Sequence, residues 1–191
     1  MNEAVNQDLN NCLEALKCGG IIIYPTDTVW GIGCDATNSE AVKRVFEIKR
    51  RADSKALITL VDSVAALERV VDEVPEVAYQ LVDVAVEPMT IVYDRGVGVA
   101  PELLAEDGSI GVRITAEEFS RELCRRFRRP IVSTSINISG EDAPHSFAEI
   151  NPELLDAVDY VCESKRDEPW ATKPSTVIKL SSGGVIKILR K

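Results

Sequence analysis

Apolar runs of strand length alternate along this chain with segments of helical periodicity, and that alternation restricts the fold more than any other feature of the sequence. Val5, Leu9, Leu13 and Leu16 recur at helical spacing, and Gly19-Gly20 supplies a stop, predicting a first helix that ends near Cys18. Ile21 to Tyr24 follows as a strand, closed by Pro25. Residues Pro25 to Asp35, rich in small and hydroxyl side chains, read as a loop at that strand's carboxyl end, with Gly31 and Gly33 giving backbone freedom. Thr37 with Glu40 forms a capping-box pattern for a helix carrying Val42, Val45, Phe46 and Lys49.

Leu57 to Val61 reads as a buried strand, Ser63 to Val71 and Val74 to Ala85 as helices, and Thr90 to Tyr93 as a strand. A strand at Ser109 to Ile114, a helix from the Thr115/Glu118 pair to Phe127 and a strand at Pro130 to Ser133 continue the alternation. Ser146 with Glu149 caps a further helix up to Ala157. Tyr160 to Cys162 is a short strand, and Thr176 to Leu180 and Val185 to Arg190 form a hairpin about Ser181-Ser-Gly-Gly184. No repeat or linker divides the 191 residues, so the expectation is one α/β domain over 1–191 with a mixed parallel and antiparallel sheet and flanking helices.

Composition removes several functions. A net charge of −9 argues against a protein that coats nucleic acid by bulk electrostatics. Between Asp62 and Asp107 eleven acids face only Arg69 and Arg95, so that segment holds the acidic excess. Two basic clusters survive: Lys43 to Lys55, and Arg121 to Arg129. The five cysteines include no CxxC pair and are expected to be reduced and mostly buried, and a lone His145 excludes a His-rich metal centre. The amino terminus has neither the basic start nor the apolar stretch of a signal peptide, so a cytoplasmic protein without a membrane partner is expected.

Neither GxxxxGK[ST] nor GxGxxG is present. Phosphates would instead need a cradle of hydroxyls, amides and cations, for which the chain offers Lys49-Arg50-Arg51 with Lys55, Ser133-Thr-Ser-Ile-Asn-Ile-Ser-Gly140 and Pro174-Ser-Thr176. Each has a plainer explanation. Cations at a helix end complement its dipole, and Ser and Asn after a strand cap their own backbone. A charge at a helix end is rarely core, so Lys49→Ala is expected to keep the fold. Thr26, Asp27 and Thr28 are further candidates for binding a small polar ligand.

Tyr24-Pro-Thr-Asp-Thr-Val-Trp-Gly-Ile-Gly33, Lys49-x-Arg51 with Lys55, Ser109-Ile-Gly-Val-Arg113, the Ser133 to Gly140 loop and Pro174-Ser-Thr-Val177 occur in an order and spacing that resemble the YrdC/Sua5 family. The resemblance runs from about Gly19 to Arg190 and is to its short form, a YrdC-like (YrdC/RibB-type) domain without the carboxyl-terminal Sua5 extension. It implies a nucleotidyltransferase, an L-threonylcarbamoyladenylate synthase. Such an enzyme converts L-threonine, bicarbonate and ATP to threonylcarbamoyl-AMP and pyrophosphate, for N6-threonylcarbamoyladenosine in tRNA.

Carried over by motif, Lys49 and Arg51 would be catalytic, holding triphosphate and bicarbonate together with Lys55. Ser109, Ser133, Ser135, Asn137 and Arg190 would line the ATP site, and Thr28, Arg113 and Ser175 would bind L-threonine. Mg2+ is expected on the phosphates, with no metal ligands from the protein. Downstream tRNA threonylcarbamoyl transferase proteins are the implied partners, and tRNA is a candidate one. Two departures stand out: Ile136, where many members have Ala, is expected to crowd the nucleotide, and Val86-Glu-Pro-Met-Thr90 replaces the usual turn before a strand. The alternative is a double-stranded RNA or tRNA-binding module without synthase activity, using Arg121 to Arg129. A carbamoyl transferase of the hydrogenase-maturation type would need zinc-finger and acylphosphatase-like parts that these residues lack.

Overall fold

The apolar stripe of the first helix is buried along its length: in α1 (Glu3–Lys17) Val5, Leu9, Cys12, Leu13 and Leu16 all face the interior. The computed structural model describes residues 3–50, 57–167 and 174–191. Within them the strands are β1 (Ile22–Tyr24), β2 (Gly31–Gly33), β3 (Ile58–Val61), β4 (Met89–Tyr93), β5 (Ile110–Ile114), β6 (Ile131–Ser135), β7 (Tyr160–Val161), β8 (Thr176–Leu180) and β9 (Ile186–Arg190). The remaining helices are α2 (Ser39–Ile48), α3 (Val64–Leu67), α4 (Glu76–Val84), α5 (Glu118–Phe127) and α6 (Pro152–Asp156).

The strands form one sheet in the order β7-β1-β2-β6-β3-β5-β4-β8-β9. The pairs β1/β7, β3/β5 and β4/β8 are parallel and the others antiparallel, the mixed sheet expected from the βαβ segments and the closing hairpin. The larger apolar core joins α1, α2 and α5 to β1, β2 and β6. A second core packs α3 and Ala78 of α4 against β4, β5 and β8.

Several local expectations change. The Pro25 to Asp35 loop contains a strand, β2, paired with both β1 and β6. Neither Gly31 nor Gly33 has a positive φ; they are small because neighbours are close. A Cβ on Gly33 would lie 2.0 Å from the Val132 carbonyl oxygen and 2.9 Å from the Tyr24 ring. Asn38, not Thr37, caps α2, accepting from the amides of Glu40 and Ala41, and Glu117 caps α5. The helix expected over Ser63 to Val71 is a single turn, and that after Ser146 divides into a 3-10 turn at Phe147–Glu149 and α6, where Pro152 restarts the helix. Four of the five cysteines are buried, Cys18 is exposed and all are free, with Cys12 Sγ 3.3 Å from Cys162 Sγ.

One buried acid ties the ends of this core together. Asp8, 3% exposed on the buried face of α1, accepts from the Tyr160 hydroxyl, the Glu163 amide at 3.1 Å and the Ser164 amide at 2.6 Å. Burial by itself would raise its pKa, but the hydrogen bonds from Ser164, Tyr160 and Glu163 outweigh it and hold the carboxyl below its ordinary value.

Two outcomes are expected. Gly33→Ala forces β2 and β6 apart and should lower unfolding free energy in urea by about 3 kcal/mol or more. Because the folded pKa of Asp8 is depressed, its contribution is complete above an unfolded value of about 3.9 and is lost as pH falls through the folded pKa. Between pH 6 and pH 3 the wild type should therefore lose more stability than Asp8→Asn, as read by paired urea titrations.

Candidate active site

A cavity of about 390 Å3 opens where β3, β4, β5 and β6 run side by side, and its floor follows from strand geometry. Val92, Gly111, Ile58 and Ser133 are register partners in one row across those four strands, and all line the cavity. Thr90, Arg113 and Ser135 lie two residues along from row members and line it too; the intervening Ile91 and Val112 are buried in the second core, while on β6 the intervening Thr134 also reaches the cavity. The row has no side chain at Gly111, where a Cβ would meet nothing nearer than Thr90 Cγ2 at 3.6 Å, so the floor is open there for want of an atom.

The walls come from distant parts of the chain. Thr26, Thr28, Val29 and Gly31 contribute one side, and Pro174, Ser175, Val177 and Arg190 another. Thr26 Oγ1 donates to the Val29 carbonyl at 2.7 Å and lies 3.2 Å from Thr28 Oγ1, which fixes the turn. Ser175 Oγ is 2.9 Å from Thr90 Oγ1, and Arg190 donates to the Ser175 carbonyl from Nε at 3.1 Å and Nη2 at 2.9 Å. The last strand therefore locks the Pro174-Ser175 segment onto β4.

Arg113 is the buried cation of the cavity, 3% exposed. Burial lowers its pKa, opposed by Asp27, whose carboxylate lies 3.1 Å from Nη2. Asp27 is itself driven upward by burial and pulled back by Arg113. Arg113 Nε and both Asp27 oxygens are buried without a well-formed hydrogen bond. An arginine presents a fixed, planar fork of donors whose geometry matches a carboxylate.

Of the residues nominated from sequence, Thr28, Ser109, Arg113, Ser133, Ser135, Ser175 and Arg190 meet in this cavity. Arg51 and Lys55 lie outside the described residues. Lys49 is not at a solvated helix end: it is 2% exposed, its ammonium donates to the carbonyls of Ser135 and of Asn137, the latter at 2.7 Å, and its own carbonyl accepts from the Ser139 amide at 3.0 Å. It thus folds the hydroxyl loop around itself beside the main cavity, and the expectation of a fold indifferent to Lys49→Ala is corrected. Asn137 donates to the carbonyls of Ile138 and Glu141 and lines a separate cavity of about 340 Å3 with His145, Glu141 and Glu149. Ile136, 1% exposed, is packed in the core and does not line the main cavity.

Thr134 lines the cavity with the rest of its hydroxyl segment, and Thr90 does so without having been singled out, because a lone threonine within a β-branched strand has no pattern of its own. Among the described residues no group of three His, Cys, Asp or Glu comes together to hold a metal ion, and no helix is long and apolar enough to cross a membrane. The arginines of α5 are largely committed within the protein. Arg125 and Arg126 both bond Glu122 at 2.6 Å, holding it down to about 2, and Arg129 reaches Asp35 at 2.8 Å.

Sheet, cavity and buried guanidinium together define an α/β protein with a hydroxyl-lined, arginine-bearing cavity over its sheet. Residues 14–191 match the family described as Telomere recombination, Sua5/YciO/YrdC, and the chain belongs to that family. A threonylcarbamoyl-AMP synthase of Stenotrophomonas maltophilia is 33% identical over 183 residues, spanning 94% of this chain and 97% of the relative. Another of that name, from Pseudoalteromonas translucida, is 31% identical over 94% of this chain and 98% of its own length. P. abyssi Sua5 superposes with a TM-score of 0.85 at 28% identity as the H234A/Y235A variant, and 0.80 at 30% as the complex with L-threonine. Those alignments cover 95% and 90% of this chain but only 55% and 50% of the P. abyssi protein, so the chain spans about half of its length.

Lys49→Ala should lower the unfolding free energy by about 2 kcal/mol, because the carbonyls of Ser135 and Asn137 lose a charged donor. A thermal melt beside a urea titration checks it.

Proposed function

We propose that the chain is a threonylcarbamoyl-AMP synthase, a nucleotidyltransferase joining L-threonine, bicarbonate and ATP. The observation that carries the reading is the buried Arg113 guanidinium in a hydroxyl-lined cavity, in a chain whose relatives of matching length bear that name. The threonine amine attacks carbonate carbon, water leaves, and the resulting carbamate oxygen takes the adenylyl group of ATP as pyrophosphate departs. No protein nucleophile is required. The protein's task is to hold three anionic reactants together and to stabilise negative charge as it moves.

In this assignment Arg113, Thr28 and Ser175 hold L-threonine, with Arg113 on its carboxylate. Ser109, Ser133 and Ser135 line the adenylate end, and Arg190 acts by locking Ser175 in place. Lys49, Arg51, Lys55 and Asn137 are assigned to the phosphate and bicarbonate end, Lys49 by shaping the hydroxyl loop. Mg2+ would supply charge neutralisation of the leaving pyrophosphate, and no side chain of this chain is assigned to hold it. The product is for tRNA modification in the cytoplasm, through downstream transferase proteins, and residues 1–191 act as one domain.

Pyrophosphate release from ATP should require both L-threonine and bicarbonate, with a threonylcarbamoyl adenylate of matching mass as product. Release independent of threonine overturns the reading. Gly111→Val, which fills the open place in the floor, should cut turnover by more than about 100-fold while shifting the thermal midpoint by only a few degrees.

A further inference from the structure

We infer that Asp27 is a positioning residue, which holds the Arg113 guanidinium in the orientation that receives the ligand's carboxylate and never touches the ligand itself. The inference rests on the assignment of the cavity to L-threonine. Its basis is the placement of three consecutive residues. Thr26 and Thr28 line the cavity, while Asp27 between them does not and lies behind Arg113, 3.1 Å from Nη2. Both side chains are more than nine-tenths buried, at 8% and 3% exposure, so bulk water screens the pair weakly.

The incomplete bonding of the pair points the same way. A buried guanidinium needs a counter-charge and acceptors for its donors, and within the protein Arg113 has one carboxylate and an Nε with no acceptor. Asp27 therefore supplies the counter-charge in the empty cavity and fixes one edge of the fork. Arg113 lines the cavity while Asp27 does not, so the part of the fork that Asp27 leaves over is what a planar carboxylate in the cavity would meet. With Asp27 neutralised, Arg113 keeps its place in β5 but loses the contact that sets its rotation.

The test compares wild type with Asp27→Asn, whose side chain has the same shape, by calorimetric titration of the whole chain with L-threonine and with L-threoninol, in which the carboxylate is replaced by a hydroxymethyl group. Asp27→Asn should bind L-threonine at least about tenfold more weakly and L-threoninol within about twofold of wild type. Equal weakening of both, or unchanged L-threonine affinity, overturns the inference. Independently of any ligand, the Arg113 Nη2 proton signals, assigned with Arg113→Lys, should be protected from exchange in wild type, where Nη2 faces Asp27, and lost in Asp27→Asn. Their persistence also overturns the positioning role. A wild type that binds neither compound overturns the threonine assignment and with it the role in binding, whereas the exchange measurement still decides whether Asp27 holds the guanidinium. Should Asp27→Asn fail to fold, Asp27→Glu keeps the charge and displaces it by one methylene, and the same selective loss is expected in smaller degree.

Discussion

The close approach of the β2 and β6 backbones at Gly33, with the Tyr24 ring packed against the same glycine, is the constraint on which the site depends. β2 is only three residues long and sits between β1 and β6, with no room for a Cβ at Gly33. That approach carries the Thr26 to Val29 turn alongside Ser133 and Ser135, and puts Asp27 within reach of Arg113 on β5. Any side chain at Gly33 would move the threonines and the hydroxyl loop relative to each other. The cavity is thus a by-product of tight packing behind it, and its shape inherits the rigidity of a close-packed interior.

Much of this architecture was legible because period and burial agree. The stripe of α1, the strands β1, β3, β4, β5, β8 and β9 and the closing hairpin all follow from apolar spacing and turn residues. β2 was not, since Gly-Ile-Gly has neither β-branched alternation nor enough apolar residues to register as a strand, and its pairing is dictated by neighbours far away in sequence. The same cause displaced Lys49. A cation at the end of an amphipathic helix reads as solvated, and only the return of the Ser133 to Gly140 loop over it reveals a buried ammonium bound to carbonyls. Seven of the site nominations meet in the main cavity because motif order encodes strand order; Asn137 and Ile136 turned elsewhere because the loop after β6 bends between Ser135 and Asn137.

Charge on this molecule is sorted by burial more than by sum. The acidic stretch between Asp62 and Asp107 lies mostly at the surface, where water screens it, while the cavity retains a buried guanidinium and the Arg190 fork. A protein of net charge −9 can thus keep two arginines in the lining of one cavity, because local geometry at a few ångströms outweighs a distant, solvated excess.

The lining of the cavity runs from Thr26 to Arg190, and the Arg190 fork on Ser175 is made by the last strand of the sheet. During synthesis, therefore, the earlier strands emerge long before the wall that closes on them. Until β9 pairs with β8, the Pro174-Ser175 segment lacks its clamp and the Arg113 side of the cavity stands open. The cavity is thus made of contacts of long sequence separation, the kind whose loop closure is costly and which form only once distant segments are in place.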